Sequence, residues 1–157
     1  MTAGISACPL VPAALKTLIE ESTDADIAGV AVATGPSRKP PNEWIAIGLP
    51  RAERPGGQQT FGDWYEEGSV AILCMATIAG AGETCVEAAH DRAWDIATAV
   101  AGCFDFCEGG DATLGGIVLE CGISGVSDAD AALDEIGSSA AHSHVVEVTL
   151  RWSARGA

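Results

Sequence analysis

Basic residues are scarce in this chain. Eight Lys+Arg stand against 22 Asp+Glu over 157 residues, a formal charge of −14 with neutral histidines. Proteins that hold nucleic acid or anionic membranes need clustered Lys and Arg, so this balance excludes general phosphate-backbone binding. Long apolar runs are also missing. The longest, Val70 to Ala81, has the length of a strand and falls well short of the ~18–20 residues that cross a bilayer. Met1 to Leu18 has no basic start and carries Pro9 and Pro12 within its apolar stretch, which argues against a secretory signal. The six cysteines (Cys8, Cys74, Cys85, Cys103, Cys107 and Cys121) include no C-x-x-C pair and no regular spacing. They read as reduced thiols of a protein that folds in a cytosol, mostly buried as small hydrophobes.

What is present is enough apolar material for one core. The chain is 48% hydrophobic with a mean hydropathy of +0.24, and its length suits one domain. Pro12 to Glu21 places Leu15, Leu18 and Ile19 at helical spacing, with Pro12 suited to a first turn. Ile27 to Ala33 and Glu43 to Gly48 read as short strands on either side of a proline-rich loop at residues 35–43. Residues 49–65 lose periodicity and form a second long loop. Glu66 to Ala79 is the clearest strand, with apolar residues on both faces that put it centrally in a sheet. After Gly80-Ala81-Gly82 a long helix carries the stripe Val86, Ala89, Ala93, Ile96, Ala97, Val100 and Phe104. A strand is expected from Leu114 through Ile117, Leu119 and Cys121. Residues 122–141 then form a third long connection, helical around Asp130 to Ile136. The last strand alternates best, with Val146, Val148, Leu150 and Trp152 on one side and Glu147, Thr149 and Arg151 on the other. The order α–β–β–loop–β–α–β–loop–β predicts a single α+β domain over 1–157, with a mixed or antiparallel sheet flanked by helices.

No convergent catalytic set stands out, and the chain is not expected to be an enzyme or to need a cofactor. His142-x-His144 puts two imidazoles on one face of an extended segment, and a metal site would need a further ligand such as Cys121 or Asp134. Two solvated polar residues at the mouth of a strand are the simpler account. Cys103 and Cys107 share a helix face but sit beside Phe104 and Phe106 as near-core thiols. His90 lies near Cys85, yet no oxyanion loop or orienting third group accompanies the pair. Asp128, Asp130, Asp134 and Glu135 resemble a cation-binding run without the glycine-centred calcium loop, and read as a solvated acidic segment. No glycine-rich stretch matches a nucleotide-binding pattern. The basic residues are more informative. Arg38, Lys39, Arg51 and Arg54 adjoin the Trp44 strand in a molecule that is otherwise acidic. They form either an ordinary solvated loop pair or a contact surface for an acidic face, such as that of another copy of the chain, with Trp64 and Tyr65 as aromatic anchors.

In order along the chain, the helix at Ala13-Ala14-Leu15, the strand ending in Gly35-Pro36, Trp44-Ile45-Ala46-Ile47-Gly48, Glu66 to Cys74, the helix over Ala89 to Val100, Leu114-Gly115-Gly116 and the alternating C-terminal strand form a layout. That layout resembles the tail terminator (tail completion) proteins of long non-contractile-tailed phages, especially those of actinobacterial hosts. The resemblance implies a structural virion protein with a tail-terminator-like fold, assembled in the host cytoplasm. It implies a ring, a homohexamer, that caps the head-proximal end of the tail tube and stops its polymerisation. Its partners would be other copies of itself, the tail tube protein and the head-tail connector or neck, with DNA passing through without specific binding and no membrane. The alternatives are another neck or head-closure protein, or a small metal-dependent enzyme using His142 and His144.

Overall fold

A computed structural model describes residues 7–35, 42–53, 64–80, 82–105, 109–129 and 141–156; the side chains of Trp64, Tyr65 and Gly156 are not described. A short 3-10 turn at Cys8–Leu10 leads into α1 (Val11–Glu20), with Pro12 in its first turn, where a missing N–H leaves no helical bond unmade. Six strands follow: β1 (Ala31–Thr34), β2 (Glu43–Ile47), β3 (Arg51–Glu53), β4 (Trp64–Ala79), β5 (Glu120–Asp128) and β6 (Ala141–Gly156). Helix α2 (Glu83–Gly102) stands between β4 and β5. They form one mixed, non-barrel sheet in the order β1-β2-β4-β6-β5, with β3 also on β4. Among the described residues, only the β1–β2 pair is parallel. The described residues thus make a single α+β unit with two helices against the sheet.

The spine is the antiparallel ladder between β4 and β6, in register from Trp64↔Gly156 to Ala79↔Ala141. Alternation along it sends Val70, Ile72, Cys74 and Ala76 to the same side as Val146, Val148, Leu150, Trp152 and Ala154, all buried. Ile45 and Ile47 of β2, the α1 residues Val11, Leu15 and Ile19, and the α2 stripe Ala93, Ile96, Ala97 and Val100 complete one core with them. On the other side Ala71, Leu73, Met75, Val145, Glu147 and Thr149 are half-buried. Arg92 fastens α2 to the sheet edge. Its guanidinium donates to both oxygens of Glu43 on β2, at 2.7 and 3.0 Å, and to Asp26 in the preceding turn. That fork holds the Glu43 carboxyl below its ordinary range.

The structure revises the sequence reading at four places. Residues 114–119 are a turn rather than the start of a strand. Leu114, Gly115 and Gly116 have φ of 51°, 71° and 89°, and Asp111 ties the turn down by accepting from Thr113 and Gly115. The strand begins at Glu120 and runs into the stretch expected to be a loop, and a register shift between Ile123 and Gly125 breaks its alternation. The half-buried apolar positions are Cys121, Ile123 and then Val126, so the period of two skips a residue at the bulge. Three residues of the 49–65 loop form β3, whose Arg-Ala-Glu sequence is wholly exposed and carries no apolar signal. Residues 27–29 belong to a turn before β1, and Val86 is 44% exposed, so the buried stripe of α2 starts at Ala89. The stretch read as helical around Asp130 to Ile136 lies outside the described residues.

Candidate metal centre

The apolar stripe of β6 runs Leu150, Val148, Val146 and then, one pleat further, reaches the rim of the helix-covered layer at His144. Two other elements arrive at that rim. Strand β5 ends there, with Asp128 opposite Val146, and α2 crosses it with His90 and Trp94, four residues apart and so on one helix face. His144 Nε2 lies 2.7 Å from Asp128 Oδ1, and the Trp94 indole N–H donates to the same oxygen at 2.9 Å. His90 Nε2 lies 3.9 Å from it, and the two imidazoles meet edge to face with centroids 4.7 Å apart. On its far side, His90 Nδ1 is 3.1 Å from Asp91 Oδ1.

The Asp128 carboxyl is held below its ordinary range, first by the hydrogen bond with His144 and then by that from Trp94. It is therefore a carboxylate near neutral pH. If His90 Nδ1–H donates to Asp91, the lone pair of Nε2 points into a space already bounded by a carboxylate oxygen. Two acceptors facing one another call for a cation between them, either a proton or a metal ion. One ligand atom from each of His90, Asp128 and His144 lies within 4.8 Å of the others. Tetrahedral ligands at about 2.0–2.1 Å from zinc stand roughly 3.3 Å apart, so the observed separations of 2.7 and 3.9 Å bracket what an ion would impose. Asp91 and Trp94 then act as the outer partners that orient one imidazole and the carboxylate. The site is open: the side chains of His144, His90 and Asp128 are 23, 46 and 55% exposed.

The residues singled out in the sequence fall differently. His144 is a member, not a merely solvated residue, whereas His142 sits one pleat beyond it, opposite Ile78. Cys121 cannot join them. It occupies the other end of β5, about 23 Å along an extended strand from Asp128, and burial pushes its thiol up to about 11. Cys74 is pushed up to about 12 by the same cause, and Cys103 is raised chiefly by burial as well. The Cys85 thiol donates to the Ala79 carbonyl at 3.7 Å, so it makes no pair with His90. Asp130, Asp134, Glu135, Phe106 and Cys107 lie outside the described residues, as do Arg38, Lys39 and Arg54. Arg51 is exposed on β3, and Trp64 and Tyr65 open β4 opposite Gly156 and Arg155. In the sequence Asp128 belongs to an acidic stretch, and His90 stands out only as a neighbour of Cys85. No local spacing joins 90, 128 and 144; only the β5–β6 register and the seat of α2 do. Sequence comparison finds no matching protein-family model and no matching curated protein.

Proposed function

We propose that the chain binds a divalent transition-metal ion through His90, Asp128 and His144, as a metal-dependent protein whose ion stays open to solvent. The reading rests on one observation: three ligand atoms from three separate elements lie within 4.8 Å of one another, with outer hydrogen-bond partners in place. Two imidazoles and a carboxylate suit zinc and its neighbours better than magnesium or calcium, which prefer all-oxygen shells. Three protein ligands leave a position for water, and an ion there would lower that water's pKa, the basis of metal-assisted hydrolysis. Protein purified without chelators, stripped and dialysed against zinc is expected to retain one equivalent. A free concentration 100 times Kd stabilises by about 2.7 kcal/mol, which for a chain of this size is roughly 5–10 °C in Tm. His90→Ala and His144→Ala should each abolish the shift, while His142→Ala and Cys121→Ser keep it. Loss of zinc on desalting, or a zinc shift in either His→Ala variant as large as that of the unaltered protein, refutes the site.

A second reading keeps the virion role implied by the resemblance: a ring capping a tail tube, joined to tube and neck proteins and letting DNA pass. What favours it is the open sheet. Among the described residues β1 and β5 are its edges, and β5 has no charged residue between Glu120 and Asp128 to blunt it. Such edges suit head-to-tail association of copies. The net charge of −14 suits a channel that repels phosphates.

A further inference from the structure

Far from the metal site, at the end of the sheet where β3, β4, β6 and β5 lie side by side, the register sorts charge into two rows. Arg51 pairs with Ser69, Ser69 with Arg151, and Arg151 with Gly122. Two residues along, Glu53 pairs with Glu67, Glu67 with Ser153, and Ser153 with Glu120. Directly paired residues share a face, and so do residues two apart on one strand. One row therefore presents two guanidiniums and the next presents three carboxylates, about 7 Å away along the strand direction. All five charged residues are exposed, and among the described residues the ion pairs of Arg92 involve neither Arg51 nor Arg151.

These rows line an open groove of about 830 Å³. Trp152 joins the lining, and its buried Nε1–H is the one buried side-chain polar atom among the described residues without a partner. The ring carbon bonded to that nitrogen sits against Gly68 on the core face of the sheet, opposite the face that carries the charged rows, so the indole backs the groove and the rows alone meet a ligand. A row of arginines beside a row of glutamates is not a site for a simple anion, because the carboxylates would oppose it. It fits a ligand with both signs at matching separation.

We infer that the groove binds an extended peptide segment carrying an acidic and a basic side chain two residues apart. In an extended chain that spacing is also about 7 Å and puts both groups on one face, so the acid meets Arg51 and Arg151 while the base meets Glu53, Glu67 and Glu120. The groove and the metal centre share no residue, so the inference stands apart from the metal reading.

The test is an amide-shift NMR titration of the full chain with the blocked pentapeptide Thr-Glu-Thr-Lys-Thr. Its isomer Thr-Glu-Lys-Thr-Thr, with the charges on opposite faces, is the control. The expected result is saturable shifts confined to the groove strands, with affinity at least about tenfold above the isomer. Arg51→Ala with Arg151→Ala, and separately Glu53→Gln with Glu67→Gln, should each weaken binding about tenfold. Both pairs are exposed, and unchanged amide spectra elsewhere verify that each variant is folded. His144→Ala should leave peptide binding unaltered. Equal binding of the two peptides, no shift at millimolar peptide, or shifts that survive both double variants overturns the proposal. So does concentration-dependent self-association abolished by Arg151→Glu, which would assign the groove to a second copy of the chain.

Discussion

Gly68→Ala is a small substitution with a large expected effect. A Cβ added at Gly68 would sit 2.1 Å from Trp152 Cζ2, 2.3 Å from Cε2 and 2.8 Å from the Arg51 carbonyl oxygen. To restore ordinary contact the indole must retreat by about 1.5 Å, but Trp152 is only 3% exposed and packed into the core. The strand cannot move aside instead, because the carbonyl belongs to β3 in the ladder. Overpacking of this kind costs about 3 kcal/mol. The methyl group also restricts the unfolded chain, which offsets about 0.5–1 kcal/mol. The net loss is about 2 kcal/mol, or roughly 4–8 °C in Tm. Urea unfolding of Gly68→Ala, Trp152→Leu and the double variant isolates the contact. Trp152→Leu alone should cost about 3 kcal/mol for lost burial. Gly68→Ala added to it should cost less than about 0.5 kcal/mol, a coupling near 2 kcal/mol. If Gly68→Ala costs the same in both backgrounds, the indole is not what excludes the methyl group, and the packing account of this glycine is wrong.

Two further outcomes are expected. The Glu43 carboxyl, held down by the Arg92 fork, contributes stability present above the ordinary carboxylate range and lost as pH falls through its depressed folded value. Glu43→Gln should therefore lower stability near neutral pH and flatten the acid limb of a stability-versus-pH curve; with both side chains partly solvated the difference is about 1 kcal/mol, and parallel curves for the two proteins would refute it. For the virion reading, infected cells depleted of the protein should show overlong, headless tails by negative-stain electron microscopy. Normal-length tails beside unattached heads would move the protein to the neck, and ordinary particles would end the reading.

How much of this was visible in the sequence depended on burial. Where a segment is pressed against the core on one side, its apolar period is intact, and α1, β4, α2 and β6 emerge within a few residues of their true bounds. β5 did not, because it is an edge strand rich in glycine and serine, and its bulge shifts the only apolar positions out of step. The run Ile117, Leu119, Cys121 imitated a strand because alternation says nothing about the left-handed backbone at Leu114 to Gly116 that turns the chain there. The candidate metal cluster is half visible. His144 drew attention through its neighbour His142, but its actual companions are set by tertiary register, and the choice of Cys121 failed because a strand's length separates it from the rim. Of the basic cluster, which the sequence leaves as either a solvated loop pair or a contact surface, only Arg51 lies among the described residues, and there the ladder places it beside carboxylates of the same chain.

The β4–β6 ladder joins residues roughly 60–90 positions apart, with all of α2 and β5 between them. Both long strands are central: β4 has β2 and β3 as near partners and β6 has β5, but the pairing of β4 with β6 waits for everything between them. Until β6 has emerged, β4 offers an unpaired edge along its whole length, with only β2 and β3 on the opposite side. Closure of that interval is an entropic barrier crossed before any rung of the ladder forms. Folding is accordingly expected to be slow for a chain of this length, and the species most exposed to wrong pairing is the one that has made everything except its last strand.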